Sequence, residues 1–292
     1  MKLNVAWLFA VPALIWGSTF YIIKFQLGGV DPAWSVSYRF VLSGVILLVF
    51  AKLKKLNLFF TLSQHRLIFQ QGIFLFGLNY LLIYIAEEQL TSALVAVAFS
   101  TIIFLNILFG SIFLKQKSER KVFVGAILGM AGTFLLFRND LLDIKFDELP
   151  LFHLSICFLS VVIASSGNIT SAYNQSKSLP VLQTNALGML YGGIFTGVIA
   201  LIAGKPIAFD FSIEYVSSLL YLSILGSILA FGAYLTLIGK VGADKAAYVL
   251  IIIPVIAVSL SIIFEGYKFN LQVILGMFLI LGGNLILMQK EI

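Results

Sequence analysis

Charge, cysteine and histidine are scarce in this chain. Of its 292 residues, 11% are Asp, Glu, Lys or Arg, one is cysteine and two are histidine. The lone Cys157 excludes an internal disulfide and any cysteine-based metal cluster. His65 and His153 stand apart from other ligand-type residues, so no metal site is expected. No cofactor is expected either. The chain lacks a glycine-rich phosphate loop and a long polar linker. That argues against an ATP-driven pump and against a receptor with a large soluble ligand domain. No apolar run carries two carboxylates, which leaves a membrane-embedded enzyme without paired acids.

Apolar residues are abundant instead. They make up 60% of the chain, with a mean hydropathy of +1.05. A soluble domain of this length cannot cover so much apolar surface, so the solvent must be largely lipid. In lipid every backbone polar group must find an internal partner, which leaves helices or a closed barrel. Barrel strands alternate apolar and polar residues, whereas runs such as Val181–Ala203 are continuously apolar over a helix-spanning length. The fold is therefore expected to be an all-α membrane bundle. A formal charge of +6 would suggest nucleic acid for a soluble chain; here the basic residues sit between apolar runs and read as topology signals. The first apolar run is too long for a cleavable signal peptide and has no small-residue cleavage site.

One stretch occurs twice. Shifted by 151 residues, 92–136 lies over 243–287, with Ala96 on Ala247, Ile112-Phe113 on Ile263-Phe264, Lys117 on Lys268, Gly125 on Gly276 and Gly132 on Gly283. Duplicated pairs of apolar spans mark a membrane protein built from internal repeats. Ten spans can be drawn, roughly 5–25, 33–51, 67–86, 92–114, 122–137, 151–173, 181–203, 215–238, 246–264 and 272–288. Pro32, Pro150 and Pro180 stand at span starts, while Pro12 and Pro254 fall inside spans and are expected to kink them. With the N-terminus in the cytoplasm, loops and ends on the inside carry thirteen Lys and Arg against five outside. Both termini are then cytoplasmic. Five spans per half is an odd number, so 1–145 and 146–292 form two inverted five-helix repeats around a central cavity.

Polar residues inside the spans are the candidate site. Arg39 lies in the second span, where a charge costs about 2–3 kcal/mol at the bilayer centre on insertion scales. A structural ion pair, a snorkelling side chain and a gate or substrate contact all remain open for it. Its possible outer-side partners are Glu87, Glu88 and Glu265. Glu265 is also the first candidate for a proton-coupling carboxylate, ahead of Glu87 and Glu88. Trp16-Gly17-Ser18-Thr19-Phe20, four residues after Pro12, reads either as a bend open to a cavity or as small-residue packing. Ser165-Ser166-Gly167-Asn168 echoes it in the sixth span. Asn79, Tyr80, Tyr84, Ser100, Thr101, Asn106, Tyr234 and Tyr248 add amides and hydroxyls. Together they predict an uncharged, aromatic-rich cavity suited to small amphipathic solutes. Gly125, Gly129, Gly276, Gly282 and Gly283 read as helix-packing residues.

These features resemble the drug/metabolite transporter superfamily, in its ten-span EamA-type branch. The resemblance rests on Trp16-Gly17-Ser18-Thr19-Phe20, Arg39-Phe40, Thr91-Ser92-Ala93, Pro254, the glycine-bearing fifth and tenth spans, and Phe264-Glu265-Gly266-Tyr267. Lys115-Gln116-Lys117 departs from the family's usual Gly-Glu, and the second half lacks the Trp-Gly pair. The resemblance implies a secondary transporter, often an exporter of amino acids and related metabolites. It also implies a cavity lined by spans one, three, four, six, eight and nine, with five and ten peripheral. On this basis Trp16, Ser18, Asn79, Tyr80, Ser100, Asn168, Tyr234 and Tyr248 are expected to contact substrate, and Arg39 and Glu265 to act in gating or coupling. The expected setting is a bacterial-type inner membrane. The expected partners are a small-molecule substrate, the lipid bilayer and, as a candidate coupling ion, protons, with a monomer as the working unit and no nucleic acid. A nucleotide-sugar or lipid-linked substrate is the alternative, and a membrane-embedded enzyme or a channel ranks below both.

Overall fold

The fold is taken from a computed structural model, which describes residues 4–90, 95, 98–136, 138, 148–264 and 271–288. Helices account for almost all of it, and no strand occurs among the described residues. In chain order the helices are α1 (Val5–Gln26), α2 (Pro32–Leu53), α3 (Leu62–Glu87) and α4 (Ala98–Leu114). α5 (Arg120–Leu136), α6 (Glu148–Ser176) and α7 (Val181–Ile202) follow. The last are α8 (Ile213–Val241), α9 (Tyr248–Phe264) and α10 (Leu271–Met288). Of these, α1, α2, α3, α6, α7 and α8 are each long and apolar enough to cross a membrane.

Local chemistry sets the helix starts. Asn4, Asp31 and Ser212 cap α1, α2 and α8, each side chain accepting a backbone N–H of the first turn. Pro32 occupies the first turn of α2, where its missing N–H is harmless. Thr61 and Gln64 form a capping box that starts α3 at Leu62, five residues before the apolar run at Leu67. Ser63, Gln64, His65 and Arg66 are polar, so hydropathy alone misses that first turn. Gly242, at φ 91°, turns the chain sharply between α8 and α9.

The expected interruptions do not fall where the small residues are. α1 runs helically through Pro12 and Trp16–Thr19, and α6 runs through Ser165–Asn168. Ser18 and Thr19 return their hydroxyls to the carbonyls of Ile15 and Trp16, and Ser166 does the same to Val162. Gly17 faces Ile256 of α9, and Gly167 faces Leu75 of α3, so close that an added Cβ would collide with them. These glycines serve packing. The helical irregularities lie in α3 and α8 instead, as π-helical segments at Ile73–Leu78 and Leu222–Leu229.

Two pairs of helices approach backbone to backbone. An ideal Cβ on Gly125 of α5 would stand 2.8 Å from the Gly283 carbonyl of α10, and one on Gly132 would stand 2.7 Å from the Gly276 carbonyl. Gly276 and Gly283 are the 151-residue counterparts of Gly125 and Gly132, so the contact is reciprocal and antiparallel. The same holds between α2 and α7. There Gly44 meets Leu190 at 2.8 Å, and Gly193 meets Val41 at 2.7 Å. Such seams need glycine, because in lipid close backbone contact replaces the hydrophobic drive. By contrast, Gly282 has nothing within 4 Å of its Cβ position. Thermal unfolding of the detergent-solubilised protein should therefore separate the two kinds of glycine. Gly132→Ala is expected to destabilise by about 1–3 kcal/mol, and Gly282→Ala to leave the midpoint at or slightly above that of the wild type.

Candidate functional site

A cavity lies where six helices converge. Trp16, Thr19, Phe20 and Ile23 of α1 form one wall, and Leu75, Asn79, Tyr80 and Ile83 of α3 form another. Phe99 and Ile102 of α4, Ala164 and Asn168 of α6, Phe231 and Tyr234 of α8, and Leu250 and Ile253 of α9 complete it. These are the six helices implied by the family resemblance. The cavity volume is about 50 Å³, room for a few waters at the ~10–15 Å³ each requires. A metabolite enters only if the walls part.

The lining is an aromatic cage with amides set into it. Trp16 stands edge-on to Phe231 and Tyr234, with ring centroids 4.8 and 5.1 Å away. Its indole N–H donates to the Gly226 carbonyl at 2.9 Å, inside the π-helical segment of α8. That segment is thus tied to the cavity wall, which is where such irregularities are commonly put to use. Behind Tyr234 runs a chain of buried hydrogen bonds. Asn168 donates to the Tyr234 hydroxyl at 3.2 Å, and Ser165 donates to Asn106 Oδ1 at 2.8 Å. Asn106 in turn donates to the Ala243 carbonyl at 2.9 Å. The network locks α4, α6 and α8 together and fixes the orientation of Asn168. Asn79 donates weakly to the Leu75 carbonyl, while its Oδ1 is buried with no partner.

Beside the cavity, Arg39 of α2 is wholly buried. It does not snorkel. Its Nε–H donates to Ser227 Oγ at 3.0 Å, and its guanidinium carbon lies 4.4 Å from the Tyr80 ring centroid and 5.0 Å from that of Phe40. Nη1 and Nη2 have no hydrogen-bond partner. Among the described residues no carboxylate lies within ion-pair distance of it. Of the acids proposed to pair with it, Glu88 is exposed, Glu87 is buried and Glu265 lies outside the described residues.

The other expected site residues divide. Trp16, Asn79, Tyr80, Asn168 and Tyr234 line the cavity. Ser18 turns aside to the Tyr221 hydroxyl at 2.7 Å, and Ser100 is buried off the lining. Tyr248 is placed away from it as well, donating to the Val122 carbonyl at 2.6 Å beside Gly125. Phe231 lines the cavity without having been singled out, although the 151-residue shift lays it directly over Tyr80. Among the described residues no three His, Cys, Asp or Glu gather to hold a metal.

One end of the bundle is closed by polar contacts between the α4–α5 and α8–α9 connections. Ser118 donates to Asp244 Oδ2 at 2.7 Å, and Glu119 pairs with Lys245 and with Lys121, the latter at 2.8 Å. The opposite end carries Lys205 against Asp31 at 3.1 Å and Tyr38 donating to the Ala208 carbonyl.

The EamA-like transporter family profile matches this chain twice, over residues 3–138 and 151–289. The chain belongs to that family. Its relatives in the drug/metabolite transporter superfamily are distant but nearly full-length. Protein PagO of Salmonella typhimurium is 24% identical over 96% of this chain and 93% of its own length. The uncharacterized inner membrane transporter YedA of Escherichia coli K12 is 29% identical over 85% and 78%. The uncharacterized transporter YoaV of Bacillus subtilis is 24% identical over 92% and 91%. A solved crystal structure superposes with a TM-score of 0.81 at 16% identity, covering 99% of this chain and 97% of the other, which supports the fold. This EamA member is an integral membrane protein of a transporter family.

Two outcomes follow from the charges. Among the described residues Arg39 has no ionic partner, and replacing buried charge by an apolar side chain of similar length is often neutral or stabilising. Arg39→Met is expected to hold the thermal midpoint at or above that of the wild type. A fall would mean that the guanidinium seat maintains the fold. At the closed end, hydrogen bonds from Lys121 and Lys245 hold the Glu119 carboxyl down to about 2. A carboxyl lowered on folding stabilises above its unfolded value, roughly 4.3, and ceases to do so as pH falls toward its folded value. Any midpoint advantage of wild type over Glu119→Gln should therefore shrink as pH is lowered from about 5 to about 2.

Proposed function

We propose that this protein carries small amphipathic metabolites, amino acids among them, outward across a bacterial-type inner membrane by alternating access. The observation that carries the reading is the cavity: six helices from both family-matched segments converge on an aromatic cage with inward-facing amides. Asn79 Oδ1, buried at its edge without a partner, is an acceptor for an ammonium or hydroxyl group. The reciprocal glycine seams support ten spans in two inverted five-helix repeats, since helices five places apart run antiparallel and exchange equivalent contacts. The Lys and Arg distribution supports cytoplasmic termini, which puts the α4–α5 and α8–α9 connections inside. The contact of Ser118 and Glu119 with Asp244 and Lys245 then serves as the inner gate. No Lys or Arg appears among the described lining residues, so a pyrophosphate-bearing nucleotide sugar suits this cavity less well.

Uptake of a labelled amino-acid panel into proteoliposomes tests the reading. At least one compound should be carried, with flux falling tenfold or more in Trp16→Ala and Asn79→Ala but not in Gly282→Ala. Bridging Ser118→Cys to Asp244→Cys with a short cleavable bis-thiol reagent should arrest that flux, and cleavage should restore it. Cys157 is buried and would not compete. Flux that persists through the bridge would point to a pore instead of a carrier.

A further inference from the structure

Glu87 ends α3 on the side of the cavity away from the Ser118–Asp244 contact. It is 5% exposed, and neither carboxyl oxygen has a hydrogen-bond partner. The Tyr84 hydroxyl, one helical turn earlier, stands close enough to Arg39 to interact with it but makes no hydrogen bond of good geometry. Both Nη atoms of Arg39 likewise make none. A buried carboxylate without hydrogen bonds is among the costliest groups a protein can hold, and a buried guanidinium with two empty donors is its natural counterpart. Yet the two stay apart, the guanidinium turned onto the Tyr80 ring and Ser227.

Several charged and titratable groups surround Glu87. Lys24, exposed at the end of α1, and Arg39 of α2 are the cations that act on it electrostatically. Tyr80 and Tyr84 share its helix, and Tyr84 in turn acts on Tyr215 of α8. Cys157 of α6 feels its charge, with His153 one turn earlier on the same helix. Glu88, its neighbour, faces outward.

Two states resolve the conflict. In one, Glu87 is a neutral acid and needs no counter-ion, which leaves Arg39 free to rest on Tyr80. In the other, Glu87 is a carboxylate and Arg39 swings to it, so that both fill their empty hydrogen-bonding positions. We propose that Glu87 is the proton-binding site of this transporter, that the conformation described here is its proton-loaded form, and that Arg39 takes the proton's place when it leaves. The step is a simple dissociation. The Glu87 carboxyl breaks its O–H bond, the electron pair stays on oxygen, and the proton departs toward the face where Lys24 is exposed. Nothing is oxidised or reduced. The use of this proton in coupling rests on the transporter reading, but the proton site itself does not.

Infrared difference spectroscopy of the full-length protein in lipid, titrated with pH and without substrate, tests it. Wild type and Glu88→Gln should show a carboxylic-acid carbonyl band that converts to a carboxylate band as pH rises. Glu87→Gln, which mimics the neutral acid and so keeps the fold, should lose that conversion. Glu87→Asp should retain it with a displaced band. In Arg39→Gln the conversion should move toward alkaline pH by about one unit or more, a tenfold gain in proton affinity. A conversion that persists in Glu87→Gln, or its absence from the wild type, overturns the site. An unmoved conversion in Arg39→Gln overturns the exchange with Arg39. These spectra need no carried compound, so a blank amino-acid panel beside a positive titration counts against the proposed substrate class and leaves the proton site standing.

Discussion

A chain solvated by lipid must satisfy its polar groups from within, and that constraint shapes most of what is distinctive here. Hydroxyls along the helices return to carbonyls one turn back, as Thr19, Ser43, Ser166 and Thr170 do. They can therefore be carried in membrane helices without breaking them. Amides have more hydrogen-bonding capacity than one turn can absorb, so they bond across helices. Asn106 draws in Ser165 and the Ala243 carbonyl, and Asn174 reaches Gln71, which reaches Asn185. Some groups stay unsatisfied: Asn79 on the cavity wall, Arg39, Tyr84 and Glu87 on the neighbouring turns of α2 and α3, and one oxygen each of Gln26 and Asn174 elsewhere in the bundle. A buried polar group without a partner is costly, so a partner such as water, substrate or proton is the natural complement of those beside the cavity.

The same constraint explains the glycine seams. Without a hydrophobic drive between helices, α5 and α10 adhere by backbone proximity, and only glycine lets carbonyls and Cα atoms come so near. The pairing of Gly125 with Gly283 and of Gly132 with Gly276 uses each copy of the repeat in both roles. One duplicated surface thus closes on itself, as an isologous interface does between two subunits. This keeps α5 and α10 off the cavity and leaves the six lining helices to the site.

Much of this was legible in the sequence because lipid imposes a long period on hydropathy: the order of the helices, the packing glycines other than Gly282, and the placing of five of the eight candidate residues around one cavity. What escaped had a physical cause. Trp16–Thr19 looked like a break because glycine and serine are poor helix formers in water, whereas in α1 the hydroxyls bond back and Gly17 makes room for Ile256. The true irregularities, IFLFGL in α3 and LSILGSIL in α8, are apolar and carry no compositional signal. Tyr248 reads as a pore residue by type, yet its hydroxyl is taken by a backbone carbonyl, which only the tertiary fold reveals. Glu87 and Glu88 are indistinguishable by composition. The helical phase buries one and exposes the other.

The seams and the ends of the bundle are not equally easy to open. The seam between α2 and α7 and that between α5 and α10 are continuous close contacts that no small motion can part without opening voids. The Ser118–Asp244 and Glu119–Lys245 contacts are partly exposed and polar, a class of pair worth about 0–1 kcal/mol each in water. Water can replace them at little cost. Any parting of the bundle therefore starts at its polar ends, the α4–α5 and α8–α9 connections or the Lys205–Asp31 contact, rather than at the glycine seams. The π-helical segment of α3 lies between the α8–α9 end and the cavity wall, whereas that of α8 lies beyond the wall, toward Ile213, and it is this one to which Trp16 is bonded. The cage, too small for a metabolite as it stands, widens only if α1 and α8, which bring Trp16 and Tyr234 together, separate.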